Sequence, residues 1–267
     1  MSNIVNNINR YWKVFLRLLK ASLMAEMEYK VNFITSFFLI NIWLAMNVIF
    51  YKSTFSMINY IGNWNEDQAL FFVAAFNVVD NLFFLLFFKS LLDLPNAINL
   101  GQYDYTLLKP ISKVFMTCFK TFDVSRVINT LFSLILFIYT INFVSIKPVP
   151  FVFFLVMMIN GILIYASIFL IISSLSFHFI SIYNVINIFF DVMEFGRLPS
   201  TITKGALRFG FMFVFPILFI AGIPCEYLFS QNNFKLVLLS TSVTILFVVI
   251  AVSFFKFSVS RYSSASS

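Results

Sequence analysis

The stretch Asp93–Lys113, DLPNAINLGQYDYTLLKPISK, decides how the rest of the chain is read. It lies between two long apolar runs, is itself polar and basic, and carries Pro95, Gly101 and Pro110. Proline removes a backbone donor and glycine frees the backbone, so neither neighbouring run continues through it as one helix. An interior break of this kind in so apolar a chain predicts a loop on a membrane surface. It is also the best place for the chain to receive a force from outside the bilayer.

Composition fixes the class. Of 267 residues, 61% are hydrophobic and 11% charged, against about 25% charged in soluble domains. The expected fold is an all-α polytopic membrane protein. The net charge of +7 does not point to nucleic acid, because the basic residues gather beside apolar runs, as on cytoplasmic membrane flanks. Cys118 and Cys225 are expected on opposite sides of the bilayer, too far apart for a disulfide. The first long apolar run begins at Val31 and others follow, so no cleavable signal peptide is expected.

Working outward, residues 4–24 have the spacing of an amphipathic helix. Arg10, Lys13, Arg17 and Lys20 share one sector at 100° per residue, with Ile8, Trp12, Phe15, Leu19 and Leu23 opposite. Such a helix lies in the interface, each cation worth about 1 kcal/mol near anionic lipid, and places the N-terminus in the cytoplasm. Spans are expected at 31–51, 69–88, 127–146 and 149–172, each long enough for a hydrocarbon core of about 30 Å. Lys52–Gln68 and the turn at Lys147 and Pro148 are then external, and 93–113 is cytoplasmic. A last span is expected at 234–255.

Between the fourth and last spans the pattern allows two arrangements. Residues 177–195 hold His178, Asn184, Asn187, Asp191 and Glu194; residues 206–224 are more apolar but contain Gly210, Pro216 and Gly222. If 177–195 crosses, 206–224 belongs to an external re-entrant hairpin; if 206–224 crosses, 177–195 is a cytoplasmic amphipathic helix. Both give six spans with both termini inside. Positive-inside counting alone favours the second, which leaves only Lys52, Lys147 and Lys235 outside.

Two polar sets stand out. Asn184, Asn187, Asp191 and Glu194 are spaced by three, four and three, forming one stripe opposite Ile182, Ile186, Phe189 and Met193. In a span that stripe must face a cavity or a polar partner, because each central acid costs roughly 2.5–3.5 kcal/mol in lipid. It reads equally as a wall of a transport route, as internal pairing with Arg197, or as the wet face of a cytoplasmic helix. Asn77, Asp80 and Asn81 form a second patch within the span 69–88, with a structural hydrogen bond to another span as the rival reading. Asp123 and Arg126 read as a structural pair on one helix face, and the sole histidine, His178, as an interfacial residue. Catalytic motifs are missing: there is no HExxH pair and no G-x-S-x-G elbow. Gly205 and Gly210 have P-loop spacing, but Phe211 and Met212 stand where Lys and Ser or Thr belong.

Short motifs stand in order along the chain: Met27-Glu28-Tyr29-Lys30, Leu94-Pro95 with Gly101-Gln102-Tyr103-Asp104-Tyr105-Thr106-Leu107-Leu108-Lys109-Pro110, Phe122-Asp123, Met193-Glu194-Phe195-Gly196-Arg197-Leu198-Pro199 and the ending Arg261-Tyr262-Ser263-Ser264-Ala265-Ser266-Ser267. This ordered set is similar to a subfamily of ABC-2 type exporter permeases, whose G-x-x-D-x-x-L-L-K-P segment the run 101–110 resembles. Gln102 stands where an acid is common there, and Gly196 and Leu198 where Ala and Tyr are frequent.

The resemblance implies one half of an exporter. Two membrane subunits, identical or paralogous, would join two copies of a separate ABC ATPase in the cytoplasmic (inner) membrane of a bacterium. ATP and Mg would be bound by the ATPase, and no cofactor by this chain. The same resemblance implies an elbow helix at the N-terminus, a cytoplasmic coupling segment at 93–113, 177–195 as the fifth span and a hairpin at 199–224 with Pro216 at its proline position. The expected ATPase contacts are Tyr103, Asp104, Leu107 and Lys109, with Pro95, Gly101 and Pro110 shaping the loop. Asn77, Asp80, Asn184, Asn187, Asp191 and Glu194 are the expected translocation-pathway residues, facing a central dimer cavity. Two other classes fit the composition: a proton-coupled secondary transporter using Asp80, Asp191 and Glu194, and a non-transporting membrane immunity factor.

Overall fold

The computed structural model describes residues 2–28, 30–179, 181–230 and 233–262. Tyr29 and Ser263–Ser267, from two of the motifs above, and Ile180, within the expected fifth span, lie outside the described residues. Among the described residues the chain is almost entirely helical, with no strand beyond a single bridge pairing Ile61 with Trp64.

Helices α1 (Ser2–Met27) and α2 (Lys30–Phe55) come first. Helix α3 (Glu66–Phe83) starts at a reciprocal cap, in which Asn65 Oδ1 accepts from Gln68 N and Gln68 Oε1 from Asn65 N. It continues through a π-helical turn (Phe84–Phe88) into α4 (Lys89–Leu92) and α5 (Leu94–Asn99). The two short helices α6 (Asp104–Leu107) and α7 (Lys113–Phe119) follow, then α8 (Arg126–Ile141) and α9 (Pro148–Ser174). Helix α10 (Tyr183–Glu194) is bracketed by 3-10 turns at Leu175–Phe177 and Phe195–Arg197. After it the chain breaks into short pieces: a 3-10 turn (Ser200–Ile202), α11 (Gly205–Phe209) running into a π turn (Gly210–Val214), another 3-10 turn (Ile217–Phe219) and α12 (Gly222–Phe229). Helix α13 (Phe234–Ser260) ends the described chain.

Among the described residues, three helical stretches are long and apolar enough to cross a membrane: Glu66–Asn99, Pro148–Phe177 and Phe234–Ser260, of 34, 30 and 27 residues. Even the shortest reaches about 40 Å at 1.5 Å per residue, beyond a hydrocarbon core of about 30 Å. Helix α8 and the piece Gly205–Val214 are shorter apolar helices. Neither rival for the fifth span is one full-length helix. In 177–195 the α-helix begins only at Tyr183 and covers 12 residues, about 18 Å. In 206–224 the helix stops before Pro216, which has no N–H to continue it.

Helix α9 is the axis of the bundle, flanked by α3 and α13. Its Tyr165 stacks on Phe83 of α3 with ring centroids 3.8 Å apart, and Phe169 meets Phe83 and Phe88 edge-on or tilted. Polar side chains bridge neighbouring helices inside the apolar core: Asn81 Nδ2 to Ser133 Oγ (2.9 Å), Asn41 Nδ2 to Asn129 Oδ1 (2.6 Å) and Asn160 Nδ2 to Thr241 Oγ1 (3.2 Å). Where lipid offers no hydrophobic drive between helices, such bonds and close packing hold them together. The segment Ile217–Cys225, a 3-10 turn leading into α12, is wholly buried against α9. Gly161 makes that approach possible, since a Cβ there would lie 2.7 Å from Ile220 O and 2.9 Å from Ile220 Cα.

Helix α1 has three faces rather than the two its sequence periodicity suggests. Tyr11 and Phe15 pack edge-on against Phe115, Phe119 and Phe122, and Ser22 Oγ accepts from Phe122 N at 3.0 Å. Ile8, Trp12, Leu16 and Leu23 stay exposed on a second face, and Lys13, Arg17 and Lys20 lie exposed on a third. Phe15, grouped with the apolar face by periodicity, therefore belongs to the docked one.

Candidate functional site

Two regions carry the chemistry, and the first is the loop between α4 and α7. Pro95 stands in the first turn of α5, where its missing N–H costs no helical bond, and is buried. Gly101 ends that helix at φ 69°, a left-handed conformation that suits glycine. There Gly101 N donates to Ile98 O and Tyr103 N to Ala97 O. The chain is thereby folded back so that Tyr103 points inward. It is 2% exposed and packs edge-on against Phe177 and Tyr262, with its hydroxyl 3.5 Å from Thr117 Oγ1. Burial raises the pKa of this phenol.

Asp104 and Leu107 are half-buried, while Lys109 and Pro110 are exposed. Pro110 O accepts from Arg10 Nη2 at 2.6 Å, and Ser112 N donates to Tyr11 Oη at 3.1 Å, so α1 is bonded directly to the loop. Lys89 and Glu26 close a further tie at 2.8 Å. The tip presents residues that the loop's polar composition concealed. Leu100, Tyr105 and Leu108 are 69%, 71% and 81% exposed, beside Lys109. The expected contact residue Tyr103 is thus internal, and the outward aromatic is Tyr105, two positions on.

The second region is a polar cluster between α2, α3, α8 and the turn after α10. Asp80, 7% exposed, accepts from Tyr165 Oη at 3.3 Å through Oδ1 and faces Arg197 Nη2 at 3.8 Å through Oδ2. Arg197 also pairs with Glu194, Nε to Oε2 at 3.0 Å, and its backbone carbonyl accepts from Tyr51 Oη at 2.8 Å. The guanidinium lies over the rings of Phe76 and Trp43, at 5.1 and 5.6 Å. Arg126, paired with Asp123 at 3.5 Å, lies over Phe84 at 4.2 Å. Together Leu39, Trp43, Asn77, Asp80, Phe84, Arg126 and Arg197 line a pocket of about 250 Å³. Charges this deep in an apolar bundle persist because each has an opposite charge or an aromatic face beside it.

Of the expected pathway residues, Asn77 and Asp80 line this pocket. Asn77 spends its amide N–H on Val73 O one turn back. Asn184, Asn187, Asp191 and Glu194 form the exposed stripe of α10, and Ile182, Ile186, Phe189 and Met193 its buried face, as the period requires. Only Glu194 reaches the cluster, through Arg197. Arg197, Tyr165, Trp43 and Arg126 complete the site. For Arg197 the signal was its three-residue spacing from Glu194, and for Arg126 its spacing from Asp123; for Tyr165 and Trp43 nothing local marked them, because their partners lie far along the chain.

The family model described as ABC-2 family transporter protein matches residues 41–266. No curated protein and no solved structure matches the chain.

Proposed function

The chain belongs to the ABC-2 family of transporter membrane proteins, and from that premise we propose that it is the permease subunit of an ATP-driven exporter. It crosses the bacterial cytoplasmic membrane six times with both termini inside, through α2, α3, α8, α9, the segment containing α10, and α13. Residues 199–224 form the external re-entrant hairpin and α1 the interfacial elbow. Two such subunits, identical or paralogous, enclose the pathway, and each docks one separately encoded ABC ATPase, which binds ATP and Mg.

The observation that best supports coupling through 93–113 is the exposed tip itself. An apolar knuckle of Leu100, Tyr105 and Leu108 with Lys109 beside it stands on a loop held from behind by Pro95, Gly101, Tyr103 and α1. Such a knuckle fits a protein groove, where buried aromatic and aliphatic anchors carry most of the binding energy. The half-buried Asp104 and Leu107 fix its shape, and Asp104 adds charge at its edge. The pathway runs past Asn77, Asp80 and Arg197, with the polar stripe Asn184, Asn187, Asp191 and Glu194 facing the second subunit across the cavity. A proton relay would need its carboxylates around one cavity, and only Asp80 of the three acids lines the pocket.

Affinity purification of the full chain from its native membrane tests this. An ABC ATPase should co-purify, and Leu108→Asp or Asp104→Arg should reduce its recovery at least tenfold while the permease itself remains in the membrane. Full recovery with both variants would remove the coupling assignment.

A further inference from the structure

Helix α10 is bonded to both regions described above. At its first residue, Tyr183 Oη donates to Asn96 Oδ1 of the coupling loop at 2.9 Å. Past its last residue, Arg197 joins Glu194 of the helix to Asp80 of α3. Between these ends the contacts are of a different kind. Phe189 and Phe190 lie against Tyr165 and Phe169 of α9 and against Phe84 and Phe88 of the π turn, all at 5.3–6.2 Å between ring centroids. Ring contacts of this sort change little over a small slide, whereas hydrogen bonds and ion pairs are directional. Both ends of α10 are also non-α: 3-10 turns at Leu175–Phe177 and Phe195–Arg197, with no helix at 178–179 or 181–182. The helix is therefore a short rigid rod between two breaks, fastened at its ends and lying on an apolar track.

We propose that α10 is the lever that carries movement of the coupling loop to the Asp80–Arg197 cluster, with Tyr183 and Asn96 as the positioning residues that couple it. This rests on the permease reading above and adds the route by which the loop acts. The Tyr183–Asn96 bond is solvent-exposed, Tyr183 being 51% accessible and Asn96 also exposed. An exposed bond of this kind adds little to stability. Its value is geometric: it sets where the near end of the rod stands. A shear of packed helices by an ångström or two is the established scale for such transmission.

Trp43 provides a built-in reporter at the far end, since its ring faces the Arg197 guanidinium, while Trp64 packs against Phe72 and Phe229, one turn of α3 away from the Phe76 ring that Arg197 overlies. The full chain is labelled with 5-fluorotryptophan, reconstituted in lipid nanodiscs and followed by fluorine NMR, with the resonances assigned by Trp→Phe replacements. Tyr183→Phe, and Asn96→Ala from the other side of the same bond, should each broaden or split the Trp43 signal. The Trp64 signal should hold its position, and the melting temperature should stay within a few degrees of wild type. In the complex with co-purified ATPase, a non-hydrolysable ATP analogue with Mg should shift Trp43 in the wild type and not in Tyr183→Phe, with the ATPase still bound. An unchanged Trp43 signal in both variants, equal changes at Trp43 and Trp64, or an ATP-analogue shift that survives Tyr183→Phe would each overturn the lever. If no ATPase co-purifies with the wild type, the permease reading fails, and the measurements on the chain alone still decide whether α10 links the two regions.

Discussion

At the scale of single residues, the chain places its charges in mutually dependent sets. Asp80 is buried and keeps one cation, Arg197, within 4 Å. Removing that cation alone leaves a carboxylate in apolar surroundings, and breaking a buried pair from one side typically costs about 3 kcal/mol. Arg197→Ala should therefore lower the melting temperature in detergent more than the double replacement Asp80→Asn with Arg197→Gln, which removes both charges together; the two melting curves decide it. Cys118 offers a second check at this scale. It is buried in α7, and desolvation pushes its thiol pKa up to about 12, so at neutral pH it is a protonated thiol. The thiolate is the reactive form, so Cys118 should resist maleimide in the folded protein at pH 7–8 and become labelled on unfolding. What the sequence conveyed here was residue type and depth. The acids at 80 and 194 and the arginine at 197 were visible, and the Glu194–Arg197 pairing followed from spacing. That Arg197 reaches Asp80, and that Tyr165 donates to it, depends on contacts between residues 85 or more positions apart.

Elements were legible where a period or a punctuating residue marked them. The long helices α9 and α13 fall where apolar runs predicted spans, and the two faces of α10 follow from a spacing of three and four. The sequence of 178–182 contains no proline or glycine, so the break before α10 has no local signature. Likewise, loop polarity hid the inward turn of Tyr103, which the conformation at Gly101 and a remote aromatic partner, Tyr262, bring about. Gly161 is a further case: in an apolar span its absence of a side chain gained meaning only when the buried segment around Ile220 was found against it. Gly161→Ala should force backbone apart and destabilise the bundle by about 1–3 kcal/mol, measured as a fall in melting temperature; an unchanged value would mean that the buried segment does not approach α9 this closely. Helix α1 makes the opposite point, because its period is right and its partner was not readable. One face is taken up by α7 and the loop, and the cationic and apolar faces stay exposed.

Across the whole molecule, the loop 93–113 is bonded to α1, the pocket around Asp80 lies between α2, α3 and α8, and the segment leading into α12 is buried against α9. That segment is itself clamped, with Arg208 reaching both carboxylate oxygens of Glu226 at 2.9 Å and Ser200 Oγ donating to the same group. A conservative test of the clamp is Glu226→Gln, which keeps the shape but removes the carboxylate charge from the bonds to Arg208 and Ser200; on the proposed topology it should raise trypsin cleavage after Lys204 and Arg208 from outside the cell.

Coupling through 93–113 requires that the loop lie on the cytoplasmic side and that an ATPase cover its tip. Lys109→Cys, placed beside the exposed Leu108, measures both. A membrane-impermeant maleimide should leave it untouched in intact cells and modify it in inside-out vesicles, and adding back the ATPase should protect it. Modification from outside intact cells would contradict the account.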